Sequence, residues 1–179
     1  MNTNKMGTSK DGESEETTMI EIDELEKSGV EYVDEVTTLS VEAQQYLKSF
    51  SWCNEIEKGW LAKGWGYILC IFYFKIKPTP GSGADDFIWV IVGDIPPAYI
   101  DIQSADSALE ALKAYVNIME EWFKNIKEGK SVDNCFPINV EPSMMHADML
   151  QNRIEIINSD FISELSKEEN LRKGNRYEP

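Results

Sequence analysis

The chain has 179 residues, 42% of them hydrophobic and 11% aromatic, with a formal net charge of −15. That length and apolar content suffice for one domain that buries its own core without disulfides or metal staples. The charge repels phosphate backbones and anionic headgroups, which sets aside nucleic acid and membrane surfaces as partners; it would attract a basic protein, against the plainer reading of solubility and a solvated tail.

Residues 1–36 hold eleven acids against Lys5, Lys10 and Lys27, a net of −8, and the other 143 residues carry −7. Residues 1–18 are polar and have little to bury, so disorder is expected there. Between Met19 and Val36, apolar residues are scattered among the acids. This segment reads as a loosely docked arm, a short helix around Ile22–Lys27, or a stretch that orders on a partner. The N-terminus has no apolar core of a signal peptide, and no apolar run is long enough to span a bilayer as a helix. Three cysteines, Cys53, Cys70 and Cys135, form no C-x-x-C pair. They read as reduced, buried thiols, and the expected compartment is cytoplasmic. The expected division is an acidic arm over 1–36, one domain over 37–166 and a frayed charged tail over 167–179.

The domain opens with a helix over 41–50, in which Ser40 is the expected N-cap and Ala43, Tyr46, Leu47 and Phe50 keep helical spacing. A second helix is expected over 52–63, with Trp52, Ile56 and Trp60 on one face and Gly64 as its terminator. Strands follow. Residues 66–77 are apolar on both parities up to Phe74, as in a strand buried on both faces. A loop containing Pro78, Pro80 and Gly81-Ser82-Gly83 leads to a second such strand at Phe87–Val92. The turn Gly93-Asp94-Ile95-Pro96-Pro97 then returns the chain as a short third strand at Tyr99–Ile102. Short connections make antiparallel neighbours the expected pairing.

Residues 105–128 carry the clearest helical stripe: Leu109, Leu112, Val116, Met119, Phe123 and Ile126, with charges on the other side. Ser104 is the expected cap and Gly129 the stop. A final helix capped by Ser143 places Leu150, Ile154, Ile157, Phe161 and Leu165 on one stripe. The expected fold is α+β: a three-stranded antiparallel meander flanked by N-terminal helices and two C-terminal amphipathic helices.

No residue set assembles a catalytic constellation. The one histidine, His146, lies in the first turn of the last helix and reads as structural. Zinc would need several of three widely spaced cysteines, so no metal is expected. Gly81-Ser82-Gly83 is followed by Ala84-Asp85-Asp86, which repels phosphate, and no cofactor is expected. Asp85 and Asp86 have no calcium-loop spacing with which to join Asp94 around a cation. Asp94, at the end of a buried strand and beside two prolines, is either a held functional carboxylate or an Asx-type turn residue. Tyr99, Trp89 and Trp122 join it as candidate binding residues in an aromatic groove, against the plainer reading of core packing. Met144, Met145 and Met149 suit an adaptable contact surface or ordinary packing.

The segment Trp89-Val-Ile-Val-Gly-Asp-Ile-Pro-Pro-Ala-Tyr-Ile100, with Glu128-Gly-Lys-Ser131 and Pro137-Ile-Asn-Val-Glu-Pro142, resembles a family of small bacterial proteins. The resemblance covers about residues 38–165 and implies a single bacterial cytoplasmic domain. It brings no activity and no residue role.

The expected function is a non-enzymatic acidic binding protein, concretely an immunity or inhibitor-type protein that masks a basic toxin or nuclease. One alternative is a small enzyme or metabolite-binding domain with a pocket at Asp94 and Tyr99. The other is an oligomer subunit, marked by an exposed apolar face on the 105–128 or 143–165 helix.

Overall fold

The structure is a computed structural model and describes residues 19–175. The expectation for residues 1–18 lies outside the described residues. The chain folds as α+β around a five-stranded antiparallel sheet in simple meander order: β1 (Ile20–Glu21), β2 (Cys53–Gly64), β3 (Leu69–Pro78), β4 (Phe87–Gly93) and β5 (Ile95–Asp101). The helices are a single turn, α1 (Leu25–Ser28), then α2 (Val33–Lys48), α3 (Ala108–Lys127), α4 (Met144–Ile156) and α5 (Ile162–Asn175). A five-residue π-turn, Ile157–Phe161, joins α4 to α5.

Alternation along β3 and β4 sends successive side chains to opposite faces, and helices pack on both faces. Cys70, Phe72, Phe74, Ile76, Ile88, Val90 and Val92 pack with Val36, Leu39, Ala43 and Leu47 of α2. Leu69, Ile71, Trp89, Ile91, Ala98 and Ile100 pack with Leu112, Tyr115 and Met119 of α3 and with Leu150 and Ile154 of α4. This two-sided burial explains the apolar runs on both parities. Each fully buried large side chain, such as Phe72 or Ile91, contributes about 1.5–3 kcal/mol of transfer free energy. The three cysteines are buried and unpaired. No helix among the described residues is long and apolar enough to cross a membrane.

Several expectations are corrected. The sheet has five strands rather than three. The segment expected as a helix over 52–63 is instead a turn at Trp52 followed by strand β2 (Cys53–Gly64). Register shifts between Cys53 and Glu55, Ile56 and Lys58, and Leu61 and Lys63 break the strand's alternation. Bulges of this kind let Trp52, Ile56 and Trp60 imitate a four-residue period. Gly59 held the contrary signal. A Cβ there would lie 2.6 Å from both Ile22 Cδ1 and Phe74 Cε1, so the strand needs glycine where a helix would be weakened by it.

The first long helix begins at Val33, not after Ser40. Ser40 is buried mid-helix, its hydroxyl donating to Thr37 O at 2.7 Å. The N-cap position belongs to Tyr32, left-handed at φ 56° and without a side-chain cap, so no capping signal marks this end. Just before it, Ile20 and Glu21 pair with Leu61 and Trp60, and Leu25 is buried against the sheet. The returning strand starts at Ile95 and includes Pro96 and Pro97. Those prolines are tolerated because β5 is an edge strand, and they blunt that edge. Tyr115 from α3 donates its hydroxyl to Pro96 O at 2.8 Å.

Helix α3 is capped by Ser107, which accepts from Glu110 N at 3.2 Å, rather than by Ser104. Ser104 N instead donates to Asp101 Oδ1 at 2.7 Å. Gly129, at φ 68°, follows the helix end, and Ser143 caps α4 as its position suggests. The last helix continues through the π-turn to Asn175, across the charged residues for which fraying is expected.

Candidate functional site

The β4–β5 turn is built around Gly93. Its φ is 150°, and a Cβ there would lie 2.3 Å from the Ile68 carbonyl oxygen, so only glycine fits. The next residue, Asp94, turns its backbone N–H toward Tyr67 O (3.1 Å) and Ile68 O (3.2 Å). These bonds lock the β4–β5 turn beside the β2–β3 turn. With its amide held inward, the Asp94 carboxylate points out, its side chain 75% exposed.

Arg153 of α4 clamps the turn. Its Nη2 donates to Asp94 Oδ2 at 2.8 Å and its Nε to Asp94 O at 2.7 Å. Among the described residues the carboxylate accepts from Arg153 and from no amide of its own turn. Asp94 is thus neither a simple Asx-turn residue nor an open acid. It is half of a surface clamp that ties a helix to a strand turn. The clamp is solvent-screened, so it orients more than it stabilises.

Two shallow, mostly apolar cavities flank the clamp and share Asp94, Ile95 and Arg153 in their walls. One, of about 340 Å³, is completed by Pro96, Val140, His146, Met149 and Leu150. The other, of about 270 Å³, is completed by Ile68, Ile156, Ile157 and Phe161, the last two from the π-turn. Irregular helical turns of this type often border functional surfaces. Phe161 stacks on Trp65 at 4.5 Å, and Trp65 Nε1 donates to Glu164 at 3.0 Å, which fixes the rear wall.

His146 sits in the first cavity. Nδ1 lies 2.8 Å from Glu141 O and 3.1 Å from the Ser143 hydroxyl. The Glu141 carbonyl only accepts, so a proton on Nδ1 belongs in that bond. The ring pins the preceding loop to the start of α4, and its one hydroxyl neighbour, Ser143, already caps the helix. That is an anchoring geometry rather than a nucleophile–base pair.

The outer face of α4 carries apolar side chains among Asp148, Asn152 and Glu155. Met145, Met149 and Ile156 fall on one stripe opposite Ala147, Leu150, Ile154 and Ile157, which are buried. Tyr67 and Ile68 continue the patch on the neighbouring turn, and all five exposed residues are between 46% and 63% open to solvent. Apolar residues grouped this way on an exposed face mark contact surfaces. The rim carries charges of both signs. Asp94 is matched by Arg153 and Asp148 by Lys127 at 2.6 Å, while among the described residues Glu155 accepts from the Gln151 amide at 2.8 Å.

The other candidate residues lie elsewhere. Tyr99 faces the α2 side, in an aromatic cluster with Phe50, Trp52 and Phe136 at ring separations of 5.0–5.2 Å. It opens on a separate cavity with Asp85 and Asp101. Trp89 is buried and donates Nε1 to Ala105 O at 3.1 Å, and Trp122 is one of the buried residues of α3 itself. Among the described residues, Asp94, Tyr99 and Trp89 therefore line different cavities, and Trp122 belongs to the core. Among the described residues no group of three or more His, Cys, Asp and Glu is placed to hold a metal. Sequence reasoning missed Arg153, Ile68 and Ile156. Its usable signal was that Met145, Met149 and Ile156 fall off the buried stripe of their own helix. The chain matches no known family model, and no curated protein or solved structure is significantly similar to it.

Proposed function

We propose that the protein is a non-enzymatic binding protein that docks a basic protein partner on the α4 face beside the Asp94–Arg153 clamp. The observation that carries this reading is the group of exposed apolar side chains on α4, Met145, Met149 and Ile156, on a strongly acidic chain. Apolar side chains supply contact area, and methionines adapt to an irregular partner. The charge speeds encounter and selects the sign of the partner more than it sets affinity. An immunity or inhibitor-type protein that masks a basic toxin or nuclease is the concrete form.

Capture of partners at low and high salt tests it. A basic protein is expected to bind, to weaken as salt rises from about 0.05 to about 0.5 M, and to be lost when Met145 and Met149 are both replaced by Glu. Recovery of no basic protein, or binding indifferent to both changes, overturns it. The same stripe also suits a second copy of the chain. Sedimentation of the purified protein separates the two, since a dimer that the double variant dissolves is the oligomer-subunit outcome. A shared pocket at Asp94 and Tyr99 has less support, because the two open to different cavities.

A further inference from the structure

The helices leave part of the sheet bare. Towards the end of the sheet away from Asp94, Trp60 of β2, Tyr73 of β3 and Phe87 of β4 lie on the α3 side but are only half-buried. Tyr73 is the centre of this floor. It stacks on Phe87 at 5.4 Å, tilts against Trp89 at 4.5 Å and meets Trp60 at 6.1 Å. The floor continues into a cavity of about 570 Å³ between α5 and the start of α3, within the size range of small-molecule sites.

The walls decide the ligand's charge. Lys63 is held between Glu164 (2.9 Å) and Glu168 (2.6 Å), so its charge is met inside the wall. Arg172 also has a partner. Asp106 also lines the cavity, is exposed, and takes no hydrogen bond or ion pair among the described residues. An aromatic face and an uncommitted carboxylate bordering one cavity suit a flat ring that bears a cation.

We infer that this cavity is a binding site for a small aromatic amine, its ring on Tyr73 and its ammonium group at Asp106. The site is separate from the α4 surface and does not depend on the proposed docking function.

Titration of the full chain with tryptamine, followed by amide chemical shifts, tests the inference, with indole-3-acetate as the anionic control. Tryptamine is expected to shift the amides of Lys63, Tyr73, Ala108 and Leu165 saturably. Indole-3-acetate is expected to bind about tenfold more weakly or not at all. Asp106→Asn, a surface change that leaves the core intact, is expected to weaken tryptamine about fivefold and to erase the preference over the anion. Tyr73→Leu is expected to weaken it by a similar factor. No saturable shift at these amides, equal binding of the anion, or an Asp106→Asn variant that binds tryptamine as well as the parent would overturn the inference.

Discussion

Helices α3 and α4 lie side by side on the same face of the sheet, yet they finish their outer surfaces differently. Helix α3 buries Leu112, Tyr115 and Met119 and shows water Glu110, Asn117, Glu121 and Lys124, with Lys113–Glu110 and Lys124–Glu120 pairs along its back. Helix α4 buries Ala147, Leu150 and Ile154 but shows water Met145, Met149 and Ile156. One helix has a single apolar stripe and is complete within the monomer. The other also shows water three apolar side chains on its outer side, the feature on which the proposed docking face rests. Exposing methionine and isoleucine gains the monomer nothing, so α3 serves the core alone while α4 is the helix on which the proposed contact can be tested.

Substitutions on the inner stripes test what the two helices share. Leu112→Ala on α3 and Leu150→Ala on α4 are each expected to cost about 2–5 kcal/mol in denaturant unfolding, because both leave cavities in one packed layer. A loss confined to the α3 variant would mean that α4 is only loosely held.

Each face of the sheet buries a group that resists ionisation in alkali. Tyr115 of α3 is pushed well up by burial, with Tyr46 adding to the shift, and Cys70 of β3 is pushed up by burial to about 12. Groups raised in this way stay neutral in the folded chain while their unfolded counterparts ionise. Their contribution is therefore complete below the ordinary thiol and phenol range and is lost as pH rises through the folded values. Stability is expected to fall above about pH 9, and native Cys70 is expected to resist alkylation at about pH 8 until the chain unfolds. Rapid labelling of Cys70 in the native protein would contradict its burial.

Both helices start from a serine cap, Ser107 and Ser143. Each Ser→Ala change is expected to cost about 1 kcal/mol. Ser143→Ala is expected also to loosen His146, seen as a shift in its ring resonances, since the hydroxyl lies beside Nδ1.

The smallest effect on stability is expected on the outer stripe. Replacing Met145 and Met149 by Glu is expected to change stability by less than about 0.5 kcal/mol, because neither side chain is buried. Its effect on partner capture is expected to be the largest of all these changes. Asp94→Asn falls between, with a stability change under about 1 kcal/mol that shrinks further with salt.

The sequence makes much of this architecture legible. The two-sided apolar runs of β3 and β4, the stripe of α3 and the cap of α4 are periodic and local, and periodicity is what sequence reading detects best. Strand β2 is hidden by its bulges, which turn alternation into a false four-residue spacing. The start of α2 is hidden by Tyr32, a left-handed residue with no capping chemistry. The clamp is hidden for another reason. Asp94 and Arg153 are 59 residues apart, and only packing α4 across the strand turns brings them to 2.8 Å. The second stripe of α4 was present as Met145, Met149 and Ile156, but whether a methionine faces core or water depends on a rotation that its neighbours settle.

The most direct test places a photo-reactive phenylalanine analogue at position 149 on the outer face of α4, and separately at position 113 on the outer face of α3, and irradiates the protein in its native host. A covalent adduct to a basic protein from position 149 and none from position 113 is the expected result. Adducts from position 113 alone, or from neither position, would contradict the assignment of α4 as the contact face.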